Sequence, residues 1–183
     1  MKEKIYSIQW LHTKQASGDP MKYIYFWGHT QKDPTVIDRS CFSQWYESPF
    51  LVNNTLYKTA EHWMMAQKAL LFKDDIIFQK IILSEKPGEA KALGRMVKNF
   101  DEKIWKDSSY DIVSEGNYHK FSQHQDLKNF LLTTSNRILV EASPVDPIWG
   151  IGMAADDPNI LDVYKWKGLN LLGFALMEVR NKL

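Results

Sequence analysis

The sequence is short of cysteine, of long apolar runs and of excess charge, and each shortage excludes something. One cysteine, Cys41, stands in 183 residues. It cannot close an intramolecular disulfide, which points to a reducing compartment, and the cytoplasm is the expected location. Ser40 and Phe42 flank it and supply no base to make it a nucleophile. No apolar run approaches the ~18 residues that span a membrane. The opening MKEKIYSIQWLHTKQ lacks the apolar core of a signal peptide. The formal net charge is +1, so the basic stripe that grips duplex nucleic acid nonspecifically is missing. Also missing are GxGxxG, the P-loop pattern, GxSxG and HExxH, and with them the usual support for dinucleotide-binding, P-loop, serine-hydrolase and zincin readings. The five histidines have no ligand spacing, so neither a metal nor a cofactor is expected.

Aromatics, by contrast, are plentiful: 13% of residues, with seven tryptophans. Several lie beside glycine or charge rather than in apolar runs. A groove that stacks flat rings uses tryptophan that way, and so does a large aromatic core. Apolar residues at 44% and charged residues at 25% suit one ordinary globular domain.

Along the chain, residues 1–21 read as an N-terminal arm, with a flexible joint at KQASGDPM, and residues 22–183 as the domain proper. KYIYFW at Lys22–Trp27 is a strand by type. Phe50–Val52, Asn53–Asn54 and Thr55–Tyr57 read as a hairpin, because asparagine tolerates positive φ in a tight turn. Thr59 caps a helix running to Phe72, Asp74–Asp75 start a second, and Pro87 sits in the first turn of a third. Asp101 caps a short EKIW turn. Residues 109–121 and 124–134 follow as two further helices. Arg137–Ala142 is a buried strand, residues 143–158 are a Pro-, Gly- and Asp-rich loop, and Asn170 caps a last amphipathic helix. The order predicts an α+β fold, mostly α-helical, around a small sheet.

Four constellations carry possible chemistry. Glu61 and Lys68 share one face of the first long helix, about 10 Å apart. Glu61 is a candidate catalytic carboxylate or simply a first-turn acid favoured by the helix dipole. Lys68 lies among Met64, Met65, Ala69, Leu71 and Phe72. It is either a desolvated nucleophile or a snorkelling stem. Next, Asp146 sits between two prolines, followed by Trp149, Gly150 and Gly152. These form a rigid loop whose glycine N–H groups can meet a phosphate, or an Asp-Pro turn with a tryptophan packed over it. The third is Arg95, a potential phosphate clamp or a solvated side chain, followed by Trp105. The last runs from Trp166 to Asn170, an anion-binding helix start or only a cap.

Taken in series, these segments resemble the NADAR, or YbiA-like, family. The matching pieces are Tyr25-Phe26-Trp27-Gly28, Phe42-Ser43 with Pro49-Phe50, Thr59-Ala60-Glu61-His62 with Met65-Ala66-Gln67-Lys68, and Gly94-Arg95. Trp105, Lys120-Phe121, Leu139-Val140-Glu141, Asp146 with Trp149-Gly150-Ile151-Gly152, and Gly168-Leu169-Asn170 complete the series. The resemblance implies an N-glycosidase acting on ribosides that carry phosphate. The substrates it implies are riboflavin-biosynthesis intermediates or ADP-ribose attached to guanine, free or in single-stranded DNA. It implies Glu61, Lys68 and Asp146 as catalytic residues. Phe26, Gly28, Arg95, Trp105, Trp149, Gly150, Gly152 and Asn170 would bind substrate, with Trp105 and Trp149 stacking the base. Trp27 and Trp45 make the chain more aromatic there than many members. A non-catalytic module for ADP-ribose or NAD, or an antitoxin-like partner protein, is the alternative.

Overall fold

The structure is a computed structural model and describes residues 5–183. In chain order its regular elements are α1 (Ile8–Ala16), β1 (Tyr23–Phe26), β2 (Phe50–Val52), β3 (Thr55–Tyr57), α2 (Ala60–Leu71), α3 (Asp75–Leu83), α4 (Pro87–Gly94), α5 (Glu102–Gln123), α6 (Gln125–Thr133), β4 (Ile138–Glu141) and α7 (Leu171–Lys182). The α+β, mostly helical class is as the sequence predicts. The chain forms two compact units: the stretch up to Gly28 with Asn129–Leu183, and His29–Lys128.

In the first unit, β1 and β4 pair in parallel, Tyr23 opposite Ile138 and Phe26 opposite Glu141. Ile138, Leu139 and Val140 are buried, as a continuous apolar run in a parallel pair requires. Helix α7 packs on β4. Gly173 permits this contact, because a Cβ there would run into the Leu139 carbonyl and the Asn170 amide. Within the stretch read as an arm, Ser7 caps α1 by accepting from Trp10 N–H. Leu11 is fully buried. The Gln15 amide donates to Asp162 and accepts from Val163 N–H, tying α1 to the short 3-10 turn Val163–Lys165.

In the second unit the hairpin forms as expected, with Asn53 and Asn54 at φ 49° and 62°. Thr59, Asp74 and Asp101 each cap the following helix by accepting a main-chain N–H. Pro87 takes the first position of α4. Helix α2 is the hub, packed by α3, α4 and α5. Two glycines let neighbours approach it: a Cβ on Gly94 would strike Met65, and one on Gly116 would strike Trp63.

One helical boundary differs from the sequence reading. The expected EKIW turn and the helix over 109–121 are one continuous helix, α5. Asp107, Ser108 and Ser109 favour caps and turns when taken locally. Burial of Tyr110, Val113, Asn117 and Phe121 along one face outweighs that local preference.

Candidate functional site

Glu61 lies in the first turn of α2 and is 5% exposed. Its main-chain N–H donates to the Gln44 carbonyl at 2.9 Å, which anchors the helix start against the 43–44 segment. Next to it, His62 is buried with both ring nitrogens engaged, Nδ1 with Thr59 Oγ1 at 2.9 Å and Nε2 with the Ser84 carbonyl at 3.3 Å. Burial holds its pKa below the ordinary histidine value. That is a structural histidine, fixing the cap.

Two turns along, α2 emerges from the core. Lys68 is half-buried, its Nζ 4.2 Å from the centre of the Phe100 ring and 5.5 Å from that of Trp105. No carboxylate among the described residues pairs with it. Loss of water lowers its pKa below the usual lysine value. The structure thus brings Lys68 and Trp105 together and adds Phe100, which the sequence reading missed. Arg95 follows the last turn of α4 and is exposed, the solvated alternative.

The face of α5 opposite the 43–44 segment holds residues with no place in the sequence reading of the site. Lys120 and Asn117 are fully buried there, bonded to Ser43 and Gln44. A signal for them existed: positions 113, 117, 120 and 121 share one helical face, so a lysine at 120 falls among buried neighbours.

A cleft of about 610 Å³ lies in the same unit, lined among others by His29, Trp45, Tyr46, Lys58, Thr59 and Lys86. The Trp45 ring sits 5.6 Å from His29 and 5.8 Å from Lys91 Nζ. Cys41 is buried and free, its thiol pushed up to about 12 by desolvation, so it is inert at neutral pH.

In the first unit, the Asp146 loop is a knot of main-chain bonds. One Asp146 oxygen accepts from Ile148 N–H at 2.9 Å and Trp149 N–H at 2.8 Å. Gly152 N–H donates to the Asp146 carbonyl, and Asn170 N–H to that of Gly150. The glycines serve close packing. A Cβ on Gly150 would sit 2.9 Å from two carbonyls, and Gly152 has φ +65°. The Gly152 N–H expected to meet a phosphate is therefore already taken. Trp149 is half-buried.

Asn170 departs from its expected role as a side-chain cap. It adopts the left-handed region and makes no side-chain cap bond. Fully buried, it accepts from Glu141 N–H at 3.0 Å and donates to the Leu139 carbonyl at 2.9 Å. Its amide is spent on β4 because that strand has no neighbour on this side to satisfy those groups. Phe26 is buried, and Gly28 is exposed with φ +82°, a conformation that favours glycine after the strand. Among the described residues no helix is long and apolar enough to cross a membrane, and no group of three or more His, Cys, Asp or Glu is arranged to hold a metal.

Comparisons with known proteins bear on the same residues. The family model described as NADAR domain matches residues 25–183. An N-glycosidase of Acanthamoeba polyphaga mimivirus is 45% identical over 166 residues, covering 88% of this chain and 96% of that protein. The chloroplastic riboflavin biosynthesis protein PYRR of Zea mays is 34% identical over 135 residues, which are 69% of this chain and 20% of that protein. The NMR structure of the Escherichia coli protein YbiA superposes with a TM-score of 0.70 at 28% identity, covering 88% of this chain and 84% of that one.

Proposed function

The chain belongs to the NADAR domain family, and from that premise we propose that it is an N-glycosidase cleaving a base from a phosphorylated ribose, with Glu61 and Lys68 at the centre of its chemistry. The observation that carries the assignment is the surroundings of Lys68: a half-buried amine against two aromatic rings, with no carboxylate partner among the described residues. A lysine placed for solubility would be solvated or paired. A partly desolvated amine has a larger uncharged fraction than a solvated one and can attack carbon.

Breaking an N-glycosidic bond builds positive charge on the anomeric carbon. A carboxylate fixed in a buried place opposes that charge more strongly than one in water, which suits Glu61. The uncharged Lys68 amine attacks this carbon as the bond to the base breaks, and the base leaves with the bonding pair and the proton that the amine gives up. The ribosyl-lysine opens to a protonated imine. Water adds to the same carbon, the amine is expelled, and the phosphorylated sugar departs. The sum is one water consumed, one base and one sugar released. Direct attack by water on the same carbon, with Glu61 taking its proton, gives the same products without the lysine adduct. Trp105 offers the base a ring face beside Lys68. Asp146 is the third catalytic residue that the family resemblance implies, and one of its oxygens accepts two N–H groups of its own turn.

The first substrates to test are riboflavin-pathway intermediates, because the similarity extends to the Zea mays protein of that name. Guanine carrying ADP-ribose, as nucleoside or in single-stranded DNA, is the second class. The experiment is a base-release assay by chromatography and mass spectrometry on both, with wild type, Glu61→Gln, Lys68→Ala and Asp146→Asn. The expected outcome is release by wild type and a loss of about a hundredfold or more in the first two variants. Saturable binding of a riboside with no release from any would replace the enzyme by a binding module.

A further inference from the structure

Lys120 is a charged residue with no exposure at all, in the last two turns of α5. Its Nζ donates to the Ser43 carbonyl at 2.9 Å and lies 5.4 Å from the Tyr46 ring and 5.2 Å from the Phe121 ring. No carboxylate among the described residues pairs with it. One turn back on the same face, Asn117 is equally buried. Its Nδ2 donates to Gln44 Oε1 and to the Val113 carbonyl, both at 2.9 Å. Two α5 side chains therefore grip two consecutive residues, Ser43 and Gln44. The Gln44 carbonyl in turn accepts the main-chain N–H of Glu61. A continuous path of hydrogen bonds and covalent bonds runs from α5 through residues 43–44 to the first turn of α2.

This arrangement is a poor way to build stability. An ammonium without a counter-ion is expensive to bury, and an apolar side chain of similar length avoids that cost. The same patch leaves Ser40 Oγ, Gln44 Nε2, Ser114 Oγ and Asn117 Oδ1 buried without a hydrogen-bond partner among the protein's own groups. Four such atoms on two facing segments are a concentration that a packed core does not tolerate for its own sake. Stability surrendered beside a first-turn carboxylate is what preorganisation of a site requires.

We propose that Lys120 and Asn117 are positioning residues for Glu61, fixing the Ser43–Gln44 main chain so that the carboxylate meets the reacting carbon. The inference rests on the reading of Glu61 as the catalytic carboxylate. A purely structural role makes the opposite forecast: removing the lysine would cost melting temperature and leave turnover per folded molecule alone.

The test measures kcat, KM and Tm for wild type, Lys120→Met, Asn117→Leu, Glu61→Gln and the double variant Glu61→Gln/Lys120→Met. The expected result is a Tm for Lys120→Met equal to or above that of wild type. Its kcat falls by roughly a hundredfold, as displacement of a catalytic group by about an ångström would cause, with KM within about threefold. The double variant loses no more than Glu61→Gln alone. If Lys120→Met does not fold, Asn117→Leu decides by the same kcat criterion. Glu61→Gln inactive while the folded α5 variants keep wild-type kcat would overturn this inference alone. Glu61→Gln with full turnover would overturn the Glu61 reading and this inference with it.

Discussion

An amine attacks carbon only without its proton, so on the proposed lysine route the cover around Lys68 sets how much of it is reactive at a given pH. Burial lowers its pKa, and the Phe100 and Trp105 rings are part of its cover. Replacing Phe100 by alanine readmits water, stabilises the ammonium and raises that pKa. The acid limb of the kcat/KM–pH profile should then move to higher pH, with activity at neutral pH falling and recovering as the pH is raised. Trp105→Ala should do the same and raise KM in addition, since it also removes a surface for the base. An acid limb that stays in place in both variants would mean that the free amine does not limit the reaction. His62, beside Glu61, has both ring nitrogens committed and belongs to the cap. Its replacement should act on stability.

At the scale of elements, the join between β4 and α7 turns on one side chain. Asn170→Ala would leave Glu141 N–H and the Leu139 carbonyl without their partner, a loss of about 2–4 kcal/mol. Tm should drop by several degrees while KM of the folded protein stays near wild type. A large rise in KM with little change in Tm would instead restore Asn170 as a substrate ligand. Caps at Thr59, Asp74 and Asp101, the Asn53–Asn54 turn and Pro87 are legible in the sequence because each acts within a few residues of itself. The parallel partner of β1 is not, because Tyr23 meets Ile138 across the length of the intervening chain. The same holds for Asn170, whose side chain reaches back 29 and 31 residues, and for Lys120, whose acceptor lies 77 residues away. Of the candidate site, the positions Glu61 and Lys68 are legible from helical spacing. The burial of Lys120 and Asn117 is legible from their helical face, but their partners at Ser43 and Gln44 and the Phe100 wall are not, since those depend on long-range packing.

Across the whole molecule, the buried Lys120 should leave a mark on stability against pH. Desolvation lowers its folded-state pKa to about 8, below the ordinary lysine value of 10.5. Below about pH 8 both folded and unfolded states hold the proton and the cost of burying the charge is fully present. Between that value and the unfolded one, the unfolded chain binds more protons, so this residue's contribution to stability rises with pH. Denaturant unfolding from pH 7 to 10 should show that rise in wild type relative to Lys120→Met. Parallel curves for the two proteins would mean that the amine is neutral or solvated in the fold.

Chemical trapping at Lys68 tests the proposed lysine route most directly. The protein is incubated with a cleavable phosphorylated riboside and a borohydride reductant, digested, and the peptide containing Lys68 is weighed by mass spectrometry. The expected result is a reduced phosphoribosyl adduct on Lys68 that forms only with substrate and disappears in Lys68→Ala together with base release. An unmodified Lys68 in a protein that goes on releasing base, with Lys68→Ala equally active, would contradict that route.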